Sequence, residues 1–342
     1  MTLRRLHVVT GGLVAVLGAC FLAGGLWGAH RYLANFLAYR GFDPPSDPAY
    51  VATPGTTVKL AVRSAALGGR RQEAYVYLPA GYASHPARRY PAVYLLHGFP
   101  GRPLAWIQTV RMGVIDDALS ARGRAQAAIL VMPFGSSGTF TDEEWVDGAR
   151  AGNGWGTFVS RDLVRYVDAR FRTVPARAAR AIVGLSEGGY GAIDIALHHP
   201  REFSVVESWS GYERPDKLRS IFGPRLQLLA RNDPQTLLPR VAPELRRLRT
   251  YFWFYSGTED HFAKQNLAFA RELARTGIRH RFFESFGGHN WALWRKNAPQ
   301  AYLREKDLCC VESARAKRYL PVEKVTLADI ESPGAGSIAC TS

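Results

Sequence analysis

Lysine is scarce in this basic chain of 342 residues, and no nucleic-acid-binding motif accompanies its positive charge. The net charge is +15 with 44 basic residues, of which only seven are lysines: Lys59, Lys217, Lys264, Lys296, Lys306, Lys317 and Lys324. The arginines are scattered along the chain, without a zinc-finger or RNP-type motif. We therefore expect no nucleic-acid partner. The charge indicates a solvated basic surface, which could also lie near anionic lipid.

Cysteine is also rare, and none of the four cysteines has the spacing of a metal-binding cluster. Cys20 lies in an apolar N-terminal run, whereas Cys309, Cys310 and Cys340 lie near the C-terminus. One disulfide among these three could form in an oxidising compartment, but nothing in the sequence requires it. Aromatic residues are plentiful at 12%, which argues against a disordered chain.

A long apolar segment without charged side chains spans residues 8–29, just after Arg4 and Arg5. Its 22 residues are enough to cross a bilayer as a helix. The apolar character continues further than the core of a cleaved signal peptide usually does. We therefore expect residues 1–40 to form a membrane anchor, with the rest of the chain outside the cytoplasmic membrane.

Two alternatives to this anchor remain open. Leu17-Gly18-Ala19-Cys20 resembles a bacterial lipoprotein processing site, in which Cys20 would carry the lipid, although the residues after it stay apolar. The segment could also be a signal sequence of a secreted protein. Residues 41–56 are rich in proline and small residues, which indicates a linker.

From residue 57 to 303 the chain alternates between strand-like and helix-like segments. The strand-like segments are 58–62, 74–78, 92–96, 128–132, 181–183, 203–209, 250–255 and 279–286, and the helix-like ones include 104–121, 158–171, 264–276 and 291–303. This alternation predicts an α/β domain with a mostly parallel sheet and helices on both faces, beginning with one antiparallel pair. Residues 212–248 contain no clear strand and indicate a cap-like insertion. Residues 304–342 indicate a loosely attached tail.

The most informative motif is Gly184-x-Ser186-x-Gly188, between an apolar strand and a helix-compatible run. Glycines two residues to either side permit a tight strand-to-helix turn that exposes the serine hydroxyl. At such a turn the next amide, that of Glu187, points with the helix N-terminus toward a developing oxyanion. Ser186 is therefore the candidate nucleophile.

A serine nucleophile needs a base and an acid, which follow it in the order serine, acid, histidine in one class of hydrolases. His289 lies in a glycine-containing loop between the last strand and the last helix, and is the candidate base. Asp260 follows the penultimate strand and is the candidate acid that orients it. Glu259 is the alternative acid, and His261 is a weaker alternative base because it lies so close to the acid.

The second oxyanion donor should come from a loop after an early strand. His97-Gly98-Phe99 is such a loop, with the backbone N–H of Phe99 as the candidate donor. We interpret His97 as a residue that shapes the loop and takes no part in the chemistry.

Together these motifs resemble the esterase-D and feruloyl-esterase-like branch of the α/β-hydrolase fold, which also includes secreted mycolyltransferases. The motifs are Leu95-Leu96-His97-Gly98, Gly184 to Ala192, Gly257-x-x-Asp260 and Gly288-His289-Asn290-Trp291. The resemblance covers residues 57–303 and implies acyl-serine chemistry without a metal or organic cofactor. Position 187 is a departure, since the branch often has methionine or another apolar residue there. A carboxylate at this place would oppose a developing negative charge unless it points away or pairs with an arginine.

The N-terminal segment, the site residues and this resemblance leave three functions to consider. The first is a membrane-anchored serine esterase that acts on a small-molecule, lipid or carbohydrate ester. The second is an acyltransferase that moves the acyl group to a sugar or lipid hydroxyl. The third is a non-catalytic binding module that retains the fold.

Overall fold

A computed structural model describes residues 3–138, 141–215, 219–224 and 226–309 of the chain. It divides into two compact units, Met1–Pro45 and Ser46–Ser342. Cys310 and Cys340, two of the three cysteines that could form a disulfide, lie outside the described residues. Most of the predicted tail also lies outside them.

The first unit consists of one helix, α1, at Leu3–Tyr39. Its segment Leu13–Tyr39 has a mean hydropathy of 1.7, so by length and composition it is able to cross a membrane. A signal sequence meets the same criterion, so the anchor stays a prediction. The helix ends where Arg40 and Gly41 take positive φ angles of 56° and 83°.

The second unit is built on an eight-stranded sheet in the order β1-β2-β4-β3-β5-β6-β7-β8. The strands β1 to β8 are Thr56–Arg63, Arg71–Leu78, Ala92–Leu96, Ile129–Pro133, Arg180–Leu185, Val205–Trp209, Tyr251–Gly257 and Arg279–Ser285. The β1–β2 and β2–β4 pairs are antiparallel. All other pairs are parallel. The predicted mostly parallel sheet with an initial antiparallel pair is confirmed.

The helices of this unit are, in chain order, Ala105–Gln108 (α2), Met112–Ala121 (α3), Trp155–Thr157 (α4), Val164–Arg170 (α5), Glu187–His198 (α6), Arg219–Phe222 (α7), Leu226–Arg231 (α8), Pro234–Arg247 (α9), Ala263–Arg275 (α10) and Trp291–Cys309 (α11). A π-helix at Phe158–Leu163 joins α4 to α5, and a 3₁₀ turn at Arg177–Ala179 precedes β5.

Alternate residues of the buried strands face two separate cores. Tyr94 packs with residues of α5, α6, α9 and α10, whereas its neighbours Val93 and Leu95 pack with residues of α3 and α11. Helices therefore cover both faces of the sheet, as predicted. Because most strands are buried on both faces, their sequences are apolar almost throughout.

Two predicted segments differ from the structure. The single helix expected at 104–121 is interrupted before α3, because Arg111 takes a left-handed φ of 71° and its guanidinium donates to the carbonyl of Ser46 across 3.0 Å. In 212–248, the helix α9 buries Leu238, Ala242 and Leu245 in the main core and belongs to the body of the domain. A cap-like role therefore remains a prediction only for the residues before Asp233.

The linker at 41–56 stays a prediction, and its residues from Ser46 onward belong to the second compact unit. Gly55 shows how this stretch is held. Its N–H donates to Oδ2 of Asp117 across 2.7 Å and lies 3.0 Å from the hydroxyl of Tyr77.

Candidate active site

Ser186 occupies the turn between β5 and α6, near the middle of the sheet. Its backbone has φ 55° and ψ −125°, a strained conformation for a residue other than glycine. The turn is held from the neighbouring strand, since the Ser186 N–H donates to the carbonyl oxygen of Trp209 across 2.9 Å. This conformation places the serine at the N-terminus of α6, as the motif predicts.

The side chains of Ser186, His289 and Asp260 form one hydrogen-bonded row. Nε2 of His289 lies 2.8 Å from the Ser186 hydroxyl, and Nδ1 of His289 lies 3.0 Å from Oδ2 of Asp260. The loops after β7 and β8 supply the acid and the histidine from adjacent parallel strands, so both reach the carboxyl edge of β5. The structure therefore brings together the three residues that the sequence selects as nucleophile, base and acid.

The Asp260 carboxyl is buried, with 5% of the residue exposed. Burial alone would raise its pKa, but hydrogen bonds from His289 and from the Phe262 amide, together with the charge of His289, lower the pKa below its usual value. The Phe262 N–H donates to Oδ1 across 2.9 Å. One carboxylate oxygen is thus held by the backbone while the other faces the imidazole.

The two alternatives that the sequence left open lie outside this row. Glu259 is exposed, whereas the adjacent Asp260 points inward. The side chain of His261 is 65% exposed, and its Nδ1 lies 3.7 Å from Oδ1 of Asp260, whereas His289 contacts Oδ2 of the same carboxylate. Neither geometry favours these residues as acid or base.

The loop after β3 passes directly beside the nucleophile. A Cβ atom added at Gly98 would lie 2.8 Å from Cβ of Ser186, a distance that only glycine at this position avoids. The next residue is Phe99, whose ring is half exposed. This close approach brings the backbone of the loop against the nucleophile, while the role of the Phe99 N–H as second donor stays a prediction.

Sequence reasoning missed Trp145, which holds this loop from behind. Its buried indole Nε1 donates to the carbonyl oxygen of His97 across 3.1 Å. Its ring fills the space in which Gly135 and Gly191 would carry a Cβ. A lone tryptophan in an acidic loop carries no sequence signal for this role, because the contact forms between segments that are far apart in the chain.

His97 is buried and shapes the loop, as its sequence position suggests. Its Nε2 accepts the N–H of Gly135 across 3.1 Å, and its Nδ1 lies 3.0 Å from the carbonyl oxygen of Gly98. The Nδ1–H tautomer satisfies both contacts. Burial lowers the pKa of His97 to about 4, against a smaller raising effect from the Gly98 carbonyl. The imidazole is therefore neutral at physiological pH.

Glu187 is buried beside the nucleophile among other acidic residues. Burial raises the pKa of its carboxyl well above the usual value, and the charges of Asp142 and Glu144 and a hydrogen bond to Asp142 act in the same direction. A hydrogen bond from the Glu144 backbone opposes them. The raised pKa favours the neutral form of Glu187, in which the side chain adds no charge that would oppose an oxyanion.

The Glu187 carboxyl ties the nucleophile turn to the segment that carries Trp145. The same segment is held from the other side by Tyr212, whose hydroxyl donates to Oε1 of Glu144 across 2.9 Å. Tyr212 stacks on Tyr190 of α6 with ring centroids 4.8 Å apart. The acidic segment is thus fastened to both the nucleophile helix and the loop after β6.

Comparison with known proteins concerns the family and the fold of the chain. Residues 64–304 match the family model described as "Putative esterase". An "Endo-1,4-beta-xylanase/feruloyl esterase" of Xylanibacter ruminicola is 34% identical over 42% of this chain and 20% of its own length. The "Diacylglycerol acyltransferase/mycolyltransferase Ag85B" of Mycolicibacterium smegmatis is 27% identical over 48% of this chain and 62% of its own length. The chain therefore covers less than two thirds of the length of either relative.

A solved structure of a ferulic acid esterase superposes with a TM-score of 0.66 at 22% identity, covering 75% of this chain and 99% of its own. At that identity the likeness concerns the fold, which is the α/β-hydrolase fold that the sequence predicts. The class defined by the family match is that of the esterases. The chain belongs to the esterase family matched over residues 64–304, which confirms the predicted resemblance.

Proposed function

We propose that the protein is a serine esterase that uses Ser186 as nucleophile, His289 as base and Asp260 as the acid that orients it. The observation that carries this proposal is the hydrogen-bonded row from the serine hydroxyl through the imidazole to a buried carboxylate. His289 takes the proton of the Ser186 hydroxyl as the oxygen attacks the ester carbonyl, and then gives it to the leaving alcohol. Water hydrolyses the acyl-enzyme by the same steps.

The backbone amides of Phe99 and Glu187 bind the oxyanion in this proposal. The amide of Glu187 lies at the N-terminus of α6, where the helix dipole favours negative charge. The close passage of Gly98 past Ser186 supports the other donor. The raised pKa of Glu187 and the lowered pKa of His97 both favour the neutral side chain, which allows the charge that develops on the ester oxygen to meet N–H donors without an opposing carboxylate charge.

Transfer of the acyl group to an alcohol is the second candidate, favoured by the similarity to a mycolyltransferase. The same acyl-enzyme serves both reactions, and only the acceptor differs. We also propose that the domain acts outside the cytoplasmic membrane, held there by α1, since Leu13–Tyr39 is long and apolar enough to span it. Recovery of the expressed protein as soluble cytosolic material would contradict this location.

A fluorophosphonate probe tests the nucleophile directly. The wild-type chain should be labelled and the Ser186→Ala variant should not, while Ser84→Ala, which removes an exposed hydroxyl far along the chain, should be labelled like the wild type. Absence of labelling in all three would refute the proposal and favour a binding module.

Feruloyl, acetyl and longer acyl esters, each with and without sugar or glycerol acceptors, then define the reaction. Free acid as the sole product would establish hydrolysis, whereas acylated acceptor would establish transfer.

A further inference from the structure

A second histidine lies beside the proposed catalytic row without a part in its chemistry. One ligand atom each from Asp260, His261 and His289 lies within 4.8 Å of the others. Nδ1 of His261 is 3.7 Å from Oδ1 of Asp260, and Nδ1 of His289 is 3.0 Å from Oδ2 of the same carboxylate. The centroids of the two imidazole rings are 4.9 Å apart.

We propose that these three side chains form a binding site for a divalent transition-metal ion, and that the bound ion inhibits the enzyme. Zn²⁺ is the probe for this site. Two imidazoles and one carboxylate are a ligand set that Zn²⁺ takes in proteins, with water as the fourth ligand. Metal–ligand bonds of about 2.0–2.2 Å place tetrahedral ligand atoms about 3.3–3.6 Å apart. The two imidazoles lie 3.0 and 3.7 Å from the two oxygens of the Asp260 carboxylate, and the three ligand atoms lie within 4.8 Å of one another. A bound ion would draw the exposed His261 side chain inward to reach the tetrahedral spacing.

The metal has a path to the site from solvent. The side chain of His261 is 65% exposed and that of His289 is 19% exposed, whereas the Asp260 side chain is fully buried. His261 can therefore capture the ion at the surface and bring it to the carboxylate. The Asp260 carboxylate is held in place by the Phe262 amide, which fixes one ligand of the site in advance.

Inhibition follows from the proton that the metal displaces, and this consequence rests on the proposed function. In the active state Nδ1 of His289 carries a proton toward Asp260, and Nε2 has the lone pair that takes the proton of Ser186. When Zn²⁺ binds Nδ1, the Nδ1–H bond breaks, the metal takes the lone pair left on Nδ1, and the proton adds to Nε2. No oxidation state changes. An imidazole protonated at Nε2 cannot accept the serine proton, so Ser186 is no longer activated.

The first experiment measures ester hydrolysis by the full chain while Zn²⁺ is titrated. Inhibition should be reversible with EDTA, and Mg²⁺, which prefers oxygen ligands, should not cause it. Loss of even an outer-shell partner costs about 10–100-fold in metal affinity, so His261→Ala should raise the half-inhibitory Zn²⁺ concentration at least about tenfold. His85→Ala, which removes another exposed histidine, should leave it unchanged. Equal Zn²⁺ sensitivity of His261→Ala and wild type would overturn the proposal.

A second experiment measures the metal site without relying on activity. Calorimetric titration of the Ser186→Ala variant with Zn²⁺ should show binding that is lost when His261→Ala is added to it. If this binding is seen but fluorophosphonate never labels Ser186, the site stands and the proposed function fails. If the wild type is active and labelled but the binding does not depend on His261, the site fails and the proposed function stands.

Discussion

The indole of Trp145 donates a hydrogen bond to the backbone carbonyl of His97 across 3.1 Å, and the two rings meet edge to face at 5.0 Å. Two residues after this carbonyl lies Phe99, the proposed oxyanion donor. Trp145 and the preceding Glu144 both have positive φ angles, of 59° and 47°, so the segment holds a strained backbone to present the indole. Trp145 is fully buried and supports the loop beside Ser186 from within the core.

Replacement of Trp145 by phenylalanine tests this positioning role. Most of the buried ring volume is kept, but the carbonyl of His97 loses its donor, which should destabilise the fold by about 1–3 kcal/mol. Misplacement of the donor loop should lower kcat about 10–100-fold with little change in KM, since the oxyanion forms only during the reaction. Denaturant unfolding and steady-state kinetics with one chromogenic ester measure the two effects.

Trp106→Phe is the matched control. Trp106 is equally buried, but its indole Nε1 has no hydrogen-bond partner among the described residues. Its replacement should affect stability through packing and leave kcat near the wild-type value. Equal losses of kcat in the two variants would mean that Trp145 contributes packing alone.

The raised pKa of Glu187 makes stability depend on pH. Its pKa is raised in the folded protein, so the folded state keeps a proton that the unfolded chain releases above about pH 4.3. The contribution of Glu187 to the free energy of unfolding is therefore largest at low pH. As the pH rises, this contribution falls by about 1.4 kcal/mol per pH unit until Glu187 ionises in the folded protein. Glu187→Gln cannot ionise and should not show this fall.

Denaturant unfolding between about pH 5 and 8 measures the difference. The gain in unfolding free energy of Glu187→Gln over wild type should grow as the pH rises. Glu259→Gln, which neutralises an exposed glutamate near the site, should follow the wild-type curve. Parallel curves for Glu187→Gln and wild type would show that Glu187 is ionised in the fold.

The identity of the acid is tested by the adjacent pair Glu259 and Asp260. In Asp260→Asn the side-chain amide presents its N–H to His289 and favours the wrong tautomer, so kcat should fall by about 10⁴-fold. Glu259→Gln should retain kcat within about twofold, since surface substitutions have small effects. Fluorophosphonate labelling rates provide an independent readout. A larger loss in Glu259→Gln than in Asp260→Asn would reverse the assignment.

Local sequence was sufficient for the fold and for the order of the site residues. The alternation of apolar strands and helices predicts the parallel sheet, because each short strand buried on both faces must be apolar throughout. The glycines around Ser186 predict its turn, because a tight strand-to-helix turn excludes larger side chains. Both properties depend on neighbours within a few residues, which a single sequence contains.

The interruption of the helix at Arg111 and the packing of α9 were harder to predict from local sequence. The left-handed conformation of Arg111 is coupled to a contact with Ser46, and the burial of α9 depends on α6 and α10 lying beneath it. A strong apolar face in 212–248 is compatible with a cap or with a core helix until its packing partners are known. Propensity is overridden here by tertiary contact.

The sequence by itself determined the fold class, the serine turn and the loops that carry Asp260 and His289. Only the tertiary structure decided that Asp260 faces the histidine while Glu259 faces solvent, that burial raises the pKa of Glu187, and that Trp145 supports the loop after β3. The physical reason is the same for all three. The burial of a side chain, its pKa and its buried hydrogen bonds depend on groups that are distant in the chain. Trp145 and His97, for example, are 48 residues apart. Only folding brings such groups together.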